Sequence, residues 1–142
     1  MSEWDDAVAK LTDEDWKKIE ELNGRIQSYE GSWGETKGGE EIKPGTIQMP
    51  FISYAPIVHE FLELWYDKGL IIPFSWSSWD EGSEWYANTD ETKYDKLDNE
   101  TALKLLTAVI RNDRFHEGAL KHAFDDGDFP KIINKFVSLR GQ

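Results

Sequence analysis

Apolar residues recur along this chain at the three- and four-residue spacing of helices, in blocks separated by polar, glycine-rich stretches. The first block is Trp16, Ile19, Leu22 and Ile26. It follows Thr12-Asp13-Glu14-Asp15, a capping box with Asp15 where Glu or Gln is usual, and Leu11 and Trp16 stand at the spacing of a hydrophobic staple. The pattern predicts a helix from Thr12 that fades between Gln27 and Glu30. Residues 31–46 are glycine-rich and charged and read as a loop. Ile47–Tyr54 is mixed, with Pro50 inside it, and predicts at most an edge strand or a minor hairpin near residues 46–54. Pro56 suits a first helical turn, Ile57, Phe61 and Trp65 follow at four-residue intervals, and Gly69 is placed to end that helix.

Leu70–Trp76 is apolar, is broken by Pro73 and reads as a buried connector. Ser78 is placed to cap a short acidic helix over Trp79–Ala87, and residues 88–98 read as a second loop. Asp98 or Asn99 then caps a helix in which Ala102, Leu103, Leu106, Val109 and Ile110 share a face. Phe115, Ala119, Leu120, Ala123 and Phe124 predict another, closed by Asp125-Asp126-Gly127. Asp128 caps the last, with Pro130 in its first turn and Ile132, Ile133, Phe136 and Val137 facing inward. There is no internal repeat and no linker with a domain on each side. The expectation is a mainly α, compact, single-domain bundle of five or six short helices over residues 1–142. Its expected core is Trp16, Phe61, Trp65, Phe74, Leu106, Ile110, Phe115, Leu120, Phe124, Ile133 and Phe136.

Composition narrows the functional classes. A chain of 142 residues suits one core, and 39% hydrophobic residues with 7 Trp place it among folded chains despite 31% charged residues. A net charge of −12 leaves no basic surplus for phosphate backbones or anionic membranes, so neither direct nucleic-acid binding nor membrane association is expected. Cys is absent, which excludes disulfides, thiolate metal sites and cysteine nucleophiles. No apolar run approaches the roughly 18 residues that would span a bilayer. The acidic start Met-Ser-Glu-Trp-Asp-Asp lacks the basic and apolar regions of a signal peptide, so the expected location is the cytoplasm.

The densest chemistry lies at Arg111–Gly118, Arg-Asn-Asp-Arg-Phe-His-Glu-Gly, between two apolar helical runs. Opposite charges there complement the ends of the two helices, and Arg binds carboxylates bidentately. One reading is a salt-bridged corner; the other is a pocket in which Arg111 or Arg114 grips an anion, with His116 and Glu117 as the candidate catalytic pair. The stretch from Phe74 to Tyr86 reads either as core or as an aromatic binding wall made by Trp76 and Trp79. His59-Glu60-Phe61-Leu62-Glu63 resembles a zinc-protease helix but lacks its second His, and His116 and His122 are six residues apart, so no metal site is read. Gly38-Gly39 is followed by acids, which repel phosphate, and no cofactor is expected.

Leu105-Leu106-Thr107, Arg111, Asp113-Arg114-Phe115, Glu117-Gly118, Gly127 and the run to Leu139 resemble the DUF6508 family of small bacterial proteins. Tyr54 and Pro56 leading to Val58 and Phe61, and Ile72-Pro73-Phe74, are similar too, so the likeness covers roughly residues 50–140. The family often carries Cys where His116 stands and Ser where Ala55 stands. Cys and His do not replace one another as nucleophiles, so the resemblance implies no catalytic role at position 116. It implies a mostly helical bacterial domain of uncharacterised function. The leading expectation is a small cytoplasmic interaction or regulatory protein without catalysis, acting on a protein partner or by self-association. The alternatives are a pocket around Arg111, Arg114, His116 and Glu117, and, more weakly, an acidic nucleic-acid mimic.

Overall fold

Burial follows the helical stripes of the sequence. The structure, a computed structural model, describes residues 2–38, 41–47 and 51–141; Gly39 and Pro50 lie outside them. In chain order the helices are α1 (Glu3–Ala9), α2 (Asp13–Gln27), α3 (Pro56–Asp67), α4 (Asp80–Ala87), α5 (Asn99–Asn112), α6 (Ala119–Asp125) and α7 (Asp128–Ser138). Short 3-10 turns occupy Trp76–Ser78, Glu91–Lys96 and Leu139–Gly141. Helix α7 packs against α2, α5 and α6, while α5 also meets α1 and α4, and α3 lies on α2. The protein is thus a mainly α compact domain around one aromatic core. Phe61, Trp65, Phe124, Phe129 and Phe136 are all almost completely buried. Phe61 stands edge-on to Phe129 at 5.5 Å and to Phe124 at 6.2 Å, the geometry that aromatic pairs prefer.

Caps set where the helices begin. Thr12 and Asp15 form the reciprocal box: Asp15 N–H donates to the Thr12 hydroxyl at 3.1 Å, and Thr12 N–H donates to the Asp15 carboxylate at 3.0 Å. Lys68, just past α3, reaches the same carboxylate at 2.9 Å and ties the two helices together. The Thr12 N–H, and then Lys68, hold the Asp15 carboxyl down at about 2 against an ordinary 3.8. A carboxyl whose pKa is lower in the folded state stabilises above its unfolded value and loses that contribution as pH falls. Acid melts are therefore expected to show wild type losing stability between 3.8 and about 2, a segment that Asp15→Asn lacks. Identical acid profiles for the two proteins would contradict this. At α5 the cap is Asp98, whose carboxylate accepts from Thr101 N–H at 2.8 Å.

Several expectations needed correction. Helix α1 was not foreseen. Ser2 caps it by accepting from Asp5 N–H, and Trp4 anchors it edge-on against Phe74 at 5.6 Å. Residues 31–46 are not simply a loop. They supply β1 (Gly34–Lys37), β2 (Glu41–Lys43) and the start of β3 (Thr46–Ile47), and β4 (Phe51–Tyr54) follows. Strand β1 pairs antiparallel with β4 from Gly34–Tyr54 to Lys37–Phe51, forming a ribbon, and β2 pairs antiparallel with β3 as a second two-stranded sheet. The ribbon escaped the pattern because β1 buries only its first residue, so no apolar alternation marks it. That residue is Gly34, where a Cβ would come within 3.2 Å of both Ile52 and Tyr54. Ser78 does not cap α4 by its side chain; the helix starts at Asp80 with Trp79 before it. Gly127, not Asp128, precedes α7, in the left-handed conformation. Phe74 is half-buried, and Phe115 is outside the core altogether.

Thr107 is fully buried in α5, and its hydroxyl has no hydrogen-bond partner among the described residues. A buried hydroxyl without a partner costs about 1–3 kcal/mol, so the near-isosteric Thr107→Val is expected to raise the unfolding free energy by about 1 kcal/mol. Chemical denaturation checks this; a loss of stability would reveal a partner for the hydroxyl.

Candidate functional site

The junction between α5 and α6 is not the salt-bridged corner that its charges suggested. Helix α5 ends at Asn112, whose carbonyl accepts from both Phe115 N–H at 2.9 Å and His116 N–H at 2.8 Å. Residues 113–118 then turn without helix, and Gly118 enters α6 at a φ of 102°, a left-handed value suited to glycine. Asp113 organises the turn. One carboxylate oxygen accepts from Gly118 N–H and Leu120 N–H, each at 3.1 Å, and from the Tyr54 hydroxyl at 2.9 Å. That hydroxyl in turn accepts from Lys121 N–H at 3.2 Å. Burial, and then the Asp113 carboxylate, push the Tyr54 hydroxyl well above its ordinary pKa. Glu117 accepts from the Ile52 N–H. Both carboxylates of the junction are thus engaged by β4 and by the start of α6, which pins the turn to the ribbon.

The arginines are left over. Of the four in the chain, Arg25 pairs with Glu60 at 2.7 Å, and Arg140 pairs with Asp13 and Glu20. Arg111 is half-buried and has no ion pair among the described residues. Arg114 is exposed, and its guanidinium reaches only the neutral Tyr66 hydroxyl, at 3.4 Å. The His116 imidazole is exposed and has no hydrogen-bond partner among the described residues.

Phe115 between them is 73% exposed. Its ring lies on Trp76, centroids 6.0 Å apart and planes 31° apart. The other exposed large hydrophobic residues among those described, Phe51 and Tyr66, attach to the same junction. Tyr66 is the contact of Arg114, and Phe51 adjoins Ile52, which Glu117 holds. Sequence reasoning missed this because an apolar residue in step with a helical face reads as core. The available signal was Gly118, which breaks the helix after Phe115.

Trp76 and Trp79, expected as a binding wall, do line a common slot of about 180 Å³ with Tyr86, Ser77, Ser83, Val109 and Asn112. Gly82 makes the slot possible: a Cβ there would fall 2.4 Å from the Trp79 ring. Arg111, Arg114, His116 and Glu117 do not line it; Arg111 precedes the lining residue Asn112 in the chain, and Arg114 and His116 flank Phe115, whose ring lies on Trp76. Elsewhere two of the polar candidates have structural partners. Glu60 of the zinc-protease-like run is taken by Arg25 through two bonds, and His122 faces Asp126 at 2.9 Å. No group of three or more His, Asp or Glu among the described residues is placed to hold a metal ion. In the acidic stretch 80–100, Asp90 and Asp98 cap turns, Glu91 meets Lys131, and Glu100 meets Lys104. No helix among the described residues is long and apolar enough to cross a membrane.

Neither a curated protein nor a solved structure matches the chain. The profile of one family does, over residues 11–142, which takes in α2 to α7, the ribbon and the whole α5–α6 junction. The chain belongs to the DUF6508 family, a family of unknown function.

Proposed function

We propose that this protein is a small cytoplasmic interaction or regulatory module without catalysis of its own, and that the α5–α6 junction is its contact face. Phe115 carries the reading: a large apolar side chain held in water on a turn that three carboxylate hydrogen bonds make rigid. An exposed aromatic residue on a pre-ordered backbone is the usual make-up of an interface anchor, because little entropy is lost when it is covered. The catalytic alternative has weaker support. A general base must lie within hydrogen-bond reach of the proton it takes, and neither candidate lines the slot. Glu117 is engaged by a backbone N–H, and His116 has no group to orient it.

Phe115→Ser is expected to change the unfolding free energy by less than about 1 kcal/mol, because the side chain is already exposed. Denaturant melts check this; a larger loss would mark the residue as structural. The functional test places the photo-reactive analogue benzoylphenylalanine at position 115 in cells and, as a control, at exposed Lys17 on α2. Light-dependent adducts are expected from position 115 alone. No adduct beyond the Lys17 control would overturn the reading.

A further inference from the structure

We infer that the junction face docks an acidic peptide segment of a partner protein, with an apolar side chain of that segment seated against Phe115 and in the slot beside Trp76. This rests on the interaction reading above and names the chemistry of its partner. Charge is the first argument. The protein carries −12 overall, yet the cations at this face have no carboxylate of their own. Arg111 has no ion pair, Arg114 touches only a phenol, and Lys37, opposite Phe51 in the ribbon, is exposed without an ion pair among the described residues. The nearby acids make no ion pair with them. Asp113 and Glu117 accept from backbone N–H groups, and Asp67, beside Tyr66, lies 3.3 Å from Lys68. Guanidiniums without an ion pair, on a protein of net charge −12, give an acidic segment bidentate partners where they stand, and that pairing fixes its register.

Shape is the second argument. Trp76 both supports the Phe115 ring and lines the slot, so the exposed aromatic anchor and the concavity are continuous. The Asn112 side chain in the slot and the Ser77 and Ser83 hydroxyls have no hydrogen-bond partner among the described residues. They are available to backbone groups of an extended peptide. Arginines next to Asn112 and Phe115 in the chain suit carboxylates, which they bind bidentately. A segment with Asp or Glu flanking an aromatic or aliphatic residue satisfies all of these groups together.

The test selects displayed random dodecapeptides on the full-length protein, with counter-selection on the Arg111→Ala, Arg114→Ala double variant. Enriched sequences are expected to carry Asp or Glu on either side of an apolar residue. A synthetic copy should bind wild type about tenfold or more tighter than the double variant. The double variant should melt within about 2 °C of wild type, which separates lost binding from lost folding. Enrichment of neutral or basic sequences, equal affinity for the double variant, or no enrichment over bare resin would each overturn the inference. So would sedimentation showing a dimer that Phe115→Ser dissolves, because the occupant would then be a second copy. Adducts at position 115 alongside any of these failures would leave the interaction reading standing and sink only the acidic partner.

Discussion

Asp113→Ala is expected to lower the unfolding free energy by about 2–4 kcal/mol, although the residue sits at the end of a helix and is not part of the apolar core. Its carboxylate is the shared acceptor for Tyr54, Gly118 and Leu120, and Ala leaves all three donors without it. A hydrogen bond to a charged group contributes about 1.5–3 kcal/mol, and the part-buried setting here lets water replace some of the loss. Asp113→Asn, which keeps an acceptor oxygen in the same place, should recover part of it. Chemical denaturation reads the stability. Hydrogen exchange at the Gly118 and Leu120 amides reads the local effect, and both amides should lose protection in the Ala variant. A variant as stable as wild type, with protected amides, would show that the turn is held by something other than Asp113. The effect also bears on function, because the loosened turn carries Phe115.

Lys93→Met should be comparably severe, again by about 2–4 kcal/mol. Lys93 is only 8% exposed, within a segment whose composition reads as a polar loop. Its ammonium donates to the Asn88 carbonyl at 2.7 Å and the Trp85 carbonyl at 3.2 Å, groups at the C-terminal end of α4. It lies over the Trp85 ring at 4.2 Å and is 3.6 Å from the Asp128 carboxylate in the first turn of α7. One cation therefore fastens the 88–98 segment to two helices. Met preserves the apolar stem and removes the charge, so the carbonyls lose their donor and Asp128 loses its cation. The Tyr94 hydroxyl still donates to Asp128 at 2.5 Å and keeps the loss below that of a fully orphaned buried charge. The denaturation midpoint, followed by circular dichroism, measures the effect. A shift equivalent to less than about 0.5 kcal/mol would mean that the segment is held by packing alone.

These two residues mark the boundary between what the chain states locally and what it does not. Trp16, Ile19, Leu22 and Ile26 announce α2 by spacing alone, and all four are buried. The same holds for Phe61 and Trp65 in α3 and for Ile132, Ile133 and Phe136 in α7. Thr12, Asp15 and Asp98 announce helix starts because a cap lies within three residues of the groups it satisfies. Trp76 and Trp79 were readable as a candidate binding wall, since aromatic residues so close in sequence lie close in space.

The helical class, the starts of α2, α3 and α5 and most of the core were therefore determined by the sequence itself, because helical periodicity and capping act over one or two turns. The tertiary structure alone decided the roles of Asp113, Lys93 and Phe115. The Tyr54 hydroxyl meets Asp113 across 59 residues, and Asp128 meets Lys93 from a different helix. Whether a charge is paired or free, and whether an aromatic ring is buried or bare, depends on which elements come to lie beside it, and no local spacing records that. The junction at Arg111–Gly118 was legible as a concentration of charge. Its division into engaged carboxylates, uncommitted arginines and an exposed phenylalanine arose only when β4 and α3 packed against it.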